Sequence, residues 1–226
     1  MPEFDSVALN YDDLLNAGLS ATGETKEFFA RGRVTRLRQR LTELGHRAQA
    51  VLDFGCGPGS TTQLLRAVLG AERVIGLDVS EGLLEVARRE SNDPAVTFVT
   101  PDRWPDGLQV DVVYCNGVFH HIAPAERPDY VRFIRRVLRP NGILALWENN
   151  PWNPGTRLVM SRIPFDRTAS LLTPSRSVRM LRREGFAALG VDYAFIFPRA
   201  LKVLRPLEAM LSRWPIGGQY QVLARR

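Results

Sequence analysis

The chain has 226 residues, 45% hydrophobic and 24% charged, with 18 Gly, 15 Pro and 2 Cys, the composition of an ordinary globular protein. Two cysteines exclude a disulfide framework, and a chain of this size buries roughly 70% of its unfolded surface, so it needs no structural metal to hold a core. The net charge of +6 is uneven: residues 151–226 hold 13 Lys or Arg against 4 Asp or Glu, whereas the first 150 hold 17 against 20. The arginines of the basic third stand singly (Arg157, Arg162, Arg167, Arg176), as on a solvated face, which argues against a nucleic-acid or membrane-binding patch. No apolar run approaches the ~20 residues that cross a bilayer. The opening MPEFDSVALNYDD is acidic and polar where a secretory leader would be basic and then apolar. The expectation is a cytoplasmic protein with one domain over 1–226, monomeric or homodimeric, with a helical lead-in over 1–45.

In chain order, the periodicity predicts a helix over 32–44, a strand over 50–54, a helix over 60–69, a strand over 74–78 and a helix over 80–89. Strands over 96–99 and 110–116, a helix over 125–138, a strand over 143–148, a helix over 175–184 and strands over 191–197 and 220–224 follow. Short apolar runs alternating with amphipathic segments are the pattern of a parallel sheet covered by helices. Gly45, Gly70, Pro140-Asn141-Gly142 and Gly185 each stand where a helical pattern stops. Residues 198–218 contain Pro206 and Pro215 and predict a short helix and a turn; residues 149–173 lack clean periodicity. Both segments are candidate substrate or lid insertions.

The most informative stretch is Val51-Leu52-Asp53-Phe54-Gly55-Cys56-Gly57-Pro58-Gly59-Ser60, a buried strand running through alternate glycines into a helix. Glycines there allow a tight turn and a close ligand approach, and the helix start offers unpaired N–H groups. Asp78, ending the second strand, is placed to accept from both hydroxyls of a ribose. A dinucleotide fingerprint would put its third glycine at position 60, where Ser60 stands. Strand, glycines and acid describe an adenosine-type site.

The spacing resembles the first motif of the class I S-adenosylmethionine-dependent methyltransferases of the small-molecule type. Val112 to Ile122, an apolar strand followed by His120-His121, is similar to the family's fourth strand and the turn after it. Val137-Leu138-Arg139-Pro140-Asn141-Gly142 is similar to its turn before strand five, with Asn141 in place of a glycine, a residue that tolerates a left-handed backbone. The resemblance covers residues 50–150. It implies a three-layer αβα Rossmann-like sandwich with a mostly parallel seven-stranded sheet, its last strand antiparallel. It also implies S-adenosylmethionine as cofactor, with S-adenosylhomocysteine as product. The implied cofactor residues are Tyr11, Asp53, Gly55, Cys56, Gly57, Gly59, Asp78, Val79, Asp102, Arg103 and Asn116. Asp102 matches the acid near the adenine amino group. Phe4-Asp5 through Tyr11 looks like the helical lead-in whose aromatic residue closes over the cofactor.

Methyl transfer is an in-line displacement in which positioning is the enzyme's main task. A base is needed only where the acceptor must lose a proton. His120, His121 and Glu148 stand at the sheet edge where ligands bind and are the candidate catalytic residues; being adjacent, the two histidines do not both face the substrate. Trp104, Trp147 and Trp152 are candidates for an apolar acceptor pocket, against the plainer role of filling the core. His46 reads as a surface residue, and Cys56 and Cys115 as buried inert thiols. Three histidines and two distant cysteines form no zinc pattern, so no metal is expected. The leading expectation is a methyltransferase acting on an O, N or C atom of a small molecule. The alternatives are an RNA methyltransferase and a cofactor-binding protein that transfers no methyl. Residues 198–214 interleave apolar and basic side chains, but Pro206 interrupts them, so packing or a dimer contact is favoured over a membrane surface.

Overall fold

The computed structural model describes residues 10–167 and 169–226, so Phe4 and Asp5 lie outside the described residues. Seven strands form one sheet in the order β3-β2-β1-β4-β5-β7-β6. They are β1 (Ala50–Phe54), β2 (Arg73–Leu77), β3 (Val96–Val99), β4 (Val110–Asn116), β5 (Leu138–Asn149), β6 (Ala187–Ala194) and β7 (Gln219–Arg225). β1 to β5 pair in parallel, and β7 runs antiparallel to both β5 and β6. The helices are α1 (Tyr11–Leu19), α2 (Lys26–Glu43), α3 (Ser60–Leu69), α4 (Glu81–Glu90), α5 (Arg127–Val137), α6 (Pro154–Arg162), α7 (Pro174–Arg183) and the short α8 (Glu208–Leu211).

Side-chain alternation along the strands divides the core into two layers. Val51, Val112, Tyr114 and Ile143 point to one face, beneath α2, α3 and α4. Leu52, Val113, Cys115 and Leu144 point to the other, beneath α5 and α7. Because both faces are covered, the central strands read as nearly continuous apolar runs, and β1, β3 and β4 fall on their predicted residues.

Three segments depart from expectation by more than two residues. α2 begins at Lys26, six residues before the predicted start, since Phe28 and Phe29 pack on Phe195 and the helical face extends to meet it. β5 begins at Leu138: its Pro140-Asn141-Gly142 turn, with Asn141 at φ 65°, is an irregularity carried inside the strand. β6 occupies Ala187–Ala194 instead of 191–197. It ends because Phe195 turns into the left-handed region at φ 61°, and the Glu208 carboxylate accepts from the backbone N–H groups of Phe195, Ile196 and Phe197 at 3.0–3.2 Å.

Residues 149–173 hold α6 and a 3-10 turn over Pro164–Asp166, and 198–218 hold a 3-10 run over Arg199–Leu207 followed by α8. Val203, Met210 and Trp214 of the latter segment are exposed. No helix among the described residues is long and apolar enough to cross a membrane. Part of the charge in the basic third is spent internally: Asp192, 2% exposed, is approached by Arg36, Arg40 and Arg213 at 3.1–3.7 Å.

Candidate active site

The strand order reverses between β1 and β4, so the connections leaving them diverge and open a crevice at the carboxyl ends of the strands. The loop after β1 enters it. Gly55, Gly57 and Gly59 all take positive φ (73°, 54° and 81°), for different reasons. A Cβ on Gly55 would lie 2.3 Å from Val118 Cγ2, and one on Gly59 would lie 2.7 Å from the Phe98 ring, so these two glycines serve packing. A Cβ on Gly57 would meet no protein atom within 4 Å; it faces open space. The Gly57 N–H donates to Asp78 Oδ2 at 2.9 Å, and the Ser80 N–H to Asp78 Oδ1 at 3.0 Å, which fixes the carboxylate at the rim.

Two acids share this region. Asp53 is buried and accepts from Thr62 Oγ1 at 2.7 Å; burial pushes its carboxyl up to about 7, against the lowering effect of that bond. Asp78 is also raised, chiefly by burial. Because the folded-state value of Asp53 lies above its unfolded value of 3.8, its contribution to stability is fully present below about pH 4 and is lost as pH rises through 7. Asp53→Asn is therefore expected to raise the melting temperature of the ligand-free protein relative to wild type at pH 8, with a smaller difference at pH 5. Parallel thermal melts at the two values check it.

Gly55, Gly57, Asp78, Val79, Asn116 and Tyr11 line a cleft of ≈ 730 Å³, its open mouth included. Asp53 and Cys56 line a neighbouring lobe with Gly57, Asn116 and Tyr11. Asn116 Oδ1 is buried and has no hydrogen-bond partner among the described residues. Asp102 and Arg103 are exposed and line none of these spaces; Pro101 takes the wall position. The cradle at Gly57, the orphaned Asn116 oxygen, the buried Asp53 and the half-buried Asp78 fit a cationic ligand with an adenosine-like body.

A chamber of ≈ 1540 Å³, its mouth included, adjoins the cleft and shares Tyr11, Asn116, Gly117 and His121 with it. Its walls are mainly apolar: Leu15, Leu19, Phe28, Phe29, Met160, Ile163 and Phe195. The lysine and arginines that reach it are paired. Lys26 bonds Asp12, Arg33 donates to Tyr114 Oη at 2.9 Å and Gln219 Oε1 at 3.0 Å, and Arg205 donates to Glu24 at 2.7 Å.

The two histidines have separate environments. His120 is buried between carboxylates, its Nδ1 2.6 Å from Glu148 Oε2 and its Nε2 3.5 Å from Asp166 Oδ1. Burial by itself would lower its pKa, but the two carboxylates outweigh it and push it up to about 10, so His120 is an imidazolium at neutral pH and no general base. Glu148 is held by His120 and by the Phe119 N–H at 2.9 Å, behind the chamber wall. His121 is half-buried and lines both the cleft and the chamber, with Asp166 Oδ1 3.3 Å from its Nε2. One ring nitrogen of each histidine and a carboxylate oxygen of Asp166 lie within 4.8 Å of one another, so the two rings share the Asp166 carboxylate.

None of the three tryptophans lines these spaces. Trp147 is buried in the sheet, Trp104 packs on Phe133, and Trp152 is exposed. His46 is half-buried, with Nε2 3.2 Å from the Asp111 carbonyl oxygen. Cys56 and Cys115 are buried, and burial pushes both thiols up. Asp166, Phe165 and Gln219 lie at the chamber unannounced by any sequence motif.

Residues 51–142 match a family model described as a methyltransferase domain. Over 157 residues the chain is 29% identical to trans-aconitate 2-methyltransferase of Rhizobium leguminosarum bv. trifolii, covering 67% of this chain and 57% of that protein. Over 148 residues it is 30% identical to N-demethylindolmycin N-methyltransferase of Streptomyces griseus, covering 60% and 62%. The chain spans about three fifths of the length of these relatives. A crystal structure of an S-adenosylmethionine-dependent methyltransferase from Mesorhizobium loti shares its fold, with a TM-score of 0.57 at 24% identity over 80% of this chain and 92% of that one. The matched stretch is the part of the sheet that builds the cleft, and residues 51–142 of this chain are a methyltransferase domain.

Proposed function

We propose that the chain transfers a methyl group from S-adenosylmethionine to an O, N or C atom of an apolar, ring-containing small molecule. When bound, S-adenosylmethionine supplies an electrophilic methyl on a positively charged sulfur. Asp78 would hold the ribose hydroxyls with the lone pairs its backbone bonds leave, Val79 would border the adenine, and Gly57 would admit the ligand against the loop. Asn116, at the meeting of cleft and chamber, and Tyr11, stacked on Phe165 at 5.0 Å, would close the path of the methyl from water. His121 would take a proton from the acceptor; His120 and Glu148 would hold the turn that carries it.

The observation that carries this reading is the apolar chamber opening on the cleft, whose lysine and arginines already have partners. A second reading follows from the relatives named for trans-aconitate: a polycarboxylate acceptor. It would need two or three cations freed from Asp12, Tyr114 and Glu24, each exchange leaving a buried polar group to be satisfied.

Incubation of the purified protein with S-adenosylmethionine and a panel of aromatic and heterocyclic hydroxyls and amines, trans-aconitate and RNA tests both. Formation of S-adenosylhomocysteine with a ring acceptor is the expected result. Turnover confined to trans-aconitate or RNA overturns the acceptor class, and binding with no turnover of a broad metabolite extract overturns methyl transfer.

A further inference from the structure

Asp166 reaches the histidines from the connection between α6 and α7, a strap described here by residues 163–167 and 169–170. The strap is seated at three places on the chamber wall. Gly18 of α1 packs on Ile163 so closely that a Cβ there would lie 2.2 Å from Ile163 Cγ1. Phe165 stacks on Tyr11 with ring planes 9° apart. The Ser170 N–H donates to the His120 carbonyl oxygen at 2.8 Å, and Arg127 Nη2 donates to the Ser170 carbonyl at 2.9 Å. Between the second and third seats stands Asp166, with Oδ1 3.3 Å from His121 Nε2. A carboxylate against one imidazole nitrogen selects the tautomer and orientation of the ring, because an N–H there is bonded and a lone pair there is repelled.

We propose that Asp166 is the positioning residue for His121: it holds the imidazole with Nε2–H toward its own carboxylate and so fixes the tautomer and the orientation in which the ring meets the acceptor. This rests on the methyltransferase reading above. His120 cannot serve in its place, since Glu148 occupies its Nδ1 at 2.6 Å. Among the described residues, the ionisable groups around His121 include His120, 4.2 Å away ring to ring, with Glu148 behind it, Asp166 on the strap, and Tyr11 across the cleft. In the step, the acceptor atom would form its bond to the methyl carbon while the carbon–sulfur electron pair returned to sulfur, cancelling its charge. The acceptor's own proton passes to His121, and the imidazolium is balanced by Asp166, which stays ionised. Release of that proton to water resets the site.

The test compares wild type, Asp166→Asn and Asp166→Glu. Nitrogen-15 NMR of the histidine rings in ligand-free protein reports the tautomer, and steady-state kinetics and calorimetry report kcat, KM and cofactor affinity. Wild type should show His121 protonated at Nε2. Asp166→Asn should show mixed tautomers and a kcat lower by about 100-fold, the size of a general-base contribution, with KM and cofactor affinity within about threefold. Asp166→Glu should recover part of the loss by restoring the charge, and serves alone if the Asn variant does not fold. A wild-type tautomer in Asp166→Asn overturns the proposal. So does activity that a chelator abolishes and Co²⁺ restores, which would make the three side chains metal ligands. If no acceptor is turned over even by wild type, the methyltransferase reading fails, and the tautomer measurement still decides whether Asp166 orients His121.

Discussion

Replacing Gly57 by Ala is expected to weaken S-adenosylmethionine binding about 10- to 100-fold while lowering the melting temperature of the ligand-free protein by only a few degrees. The added Cβ meets no protein atom within 4 Å, so the fold bears only the strain of a non-glycine residue at φ 54°, about 1–2 kcal/mol. For a chain of this length that is roughly 2–8 °C. The methyl group instead occupies space on the wall shared by the cleft and the neighbouring lobe, where a ligand would lie against the backbone. Gly55→Ala should behave oppositely. Its Cβ would stand 2.3 Å from Val118 Cγ2, and overpacking of about 1–3 kcal/mol adds to the strain at φ 73°. Calorimetric titration and thermal melts of the two proteins separate a glycine kept for the ligand from one kept for packing. Wild-type affinity in Gly57→Ala would show that the ligand does not pass over this loop.

His120→Ala is expected to cost about 3–5 kcal/mol of folding stability, the range seen when one partner of a buried ion pair is removed. Glu148, fully buried, would keep the Phe119 N–H but lose the cation that balances it, and Asp166 would lose one of its two imidazoles. The pH dependence has a definite sign. Burial opposes the charged ring, yet the two carboxylates raise the folded-state pKa to about 10 from 6.5. The stabilisation is then complete below about pH 6.5 and is lost as pH rises through 10. Urea denaturation of wild type and His120→Gln should give a stability gap that is widest at pH 6 and narrowest at pH 10. A gap that grows with pH would mean that the buried histidine is neutral.

The parts of this molecule that were legible in advance share one property: their information is local. β1, β3, β4 and α3 match the expected residues because strands covered on both faces must be apolar throughout and because Gly59 and Gly70 bracket the helix. The glycine loop and Asp78 were legible for the same reason, since a tight turn at a strand end imposes its residue types on consecutive positions. Periodicity failed at β6, an edge strand whose Ala187-Ala188-Leu189-Gly190 opening carries little apolar signal and whose end is imposed by Glu208 from a later segment.

The amino-acid sequence by itself determined the central strands and the glycine loop that leaves β1, because backbone conformation and alternating burial are written in neighbouring positions. Only the tertiary structure decided what the residues at the strand ends do. His120 and His121 are adjacent and alike in sequence, yet one is buried between Glu148 and Asp166 and borders the chamber alone, whereas the other lines both the chamber and the cleft. Asp102 matched a motif and lies outside the cleft, whereas Asp166 matched none and stands beside the candidate base. Charge state and access depend on which groups from distant segments share a low-dielectric space, and no spacing along the chain encodes that.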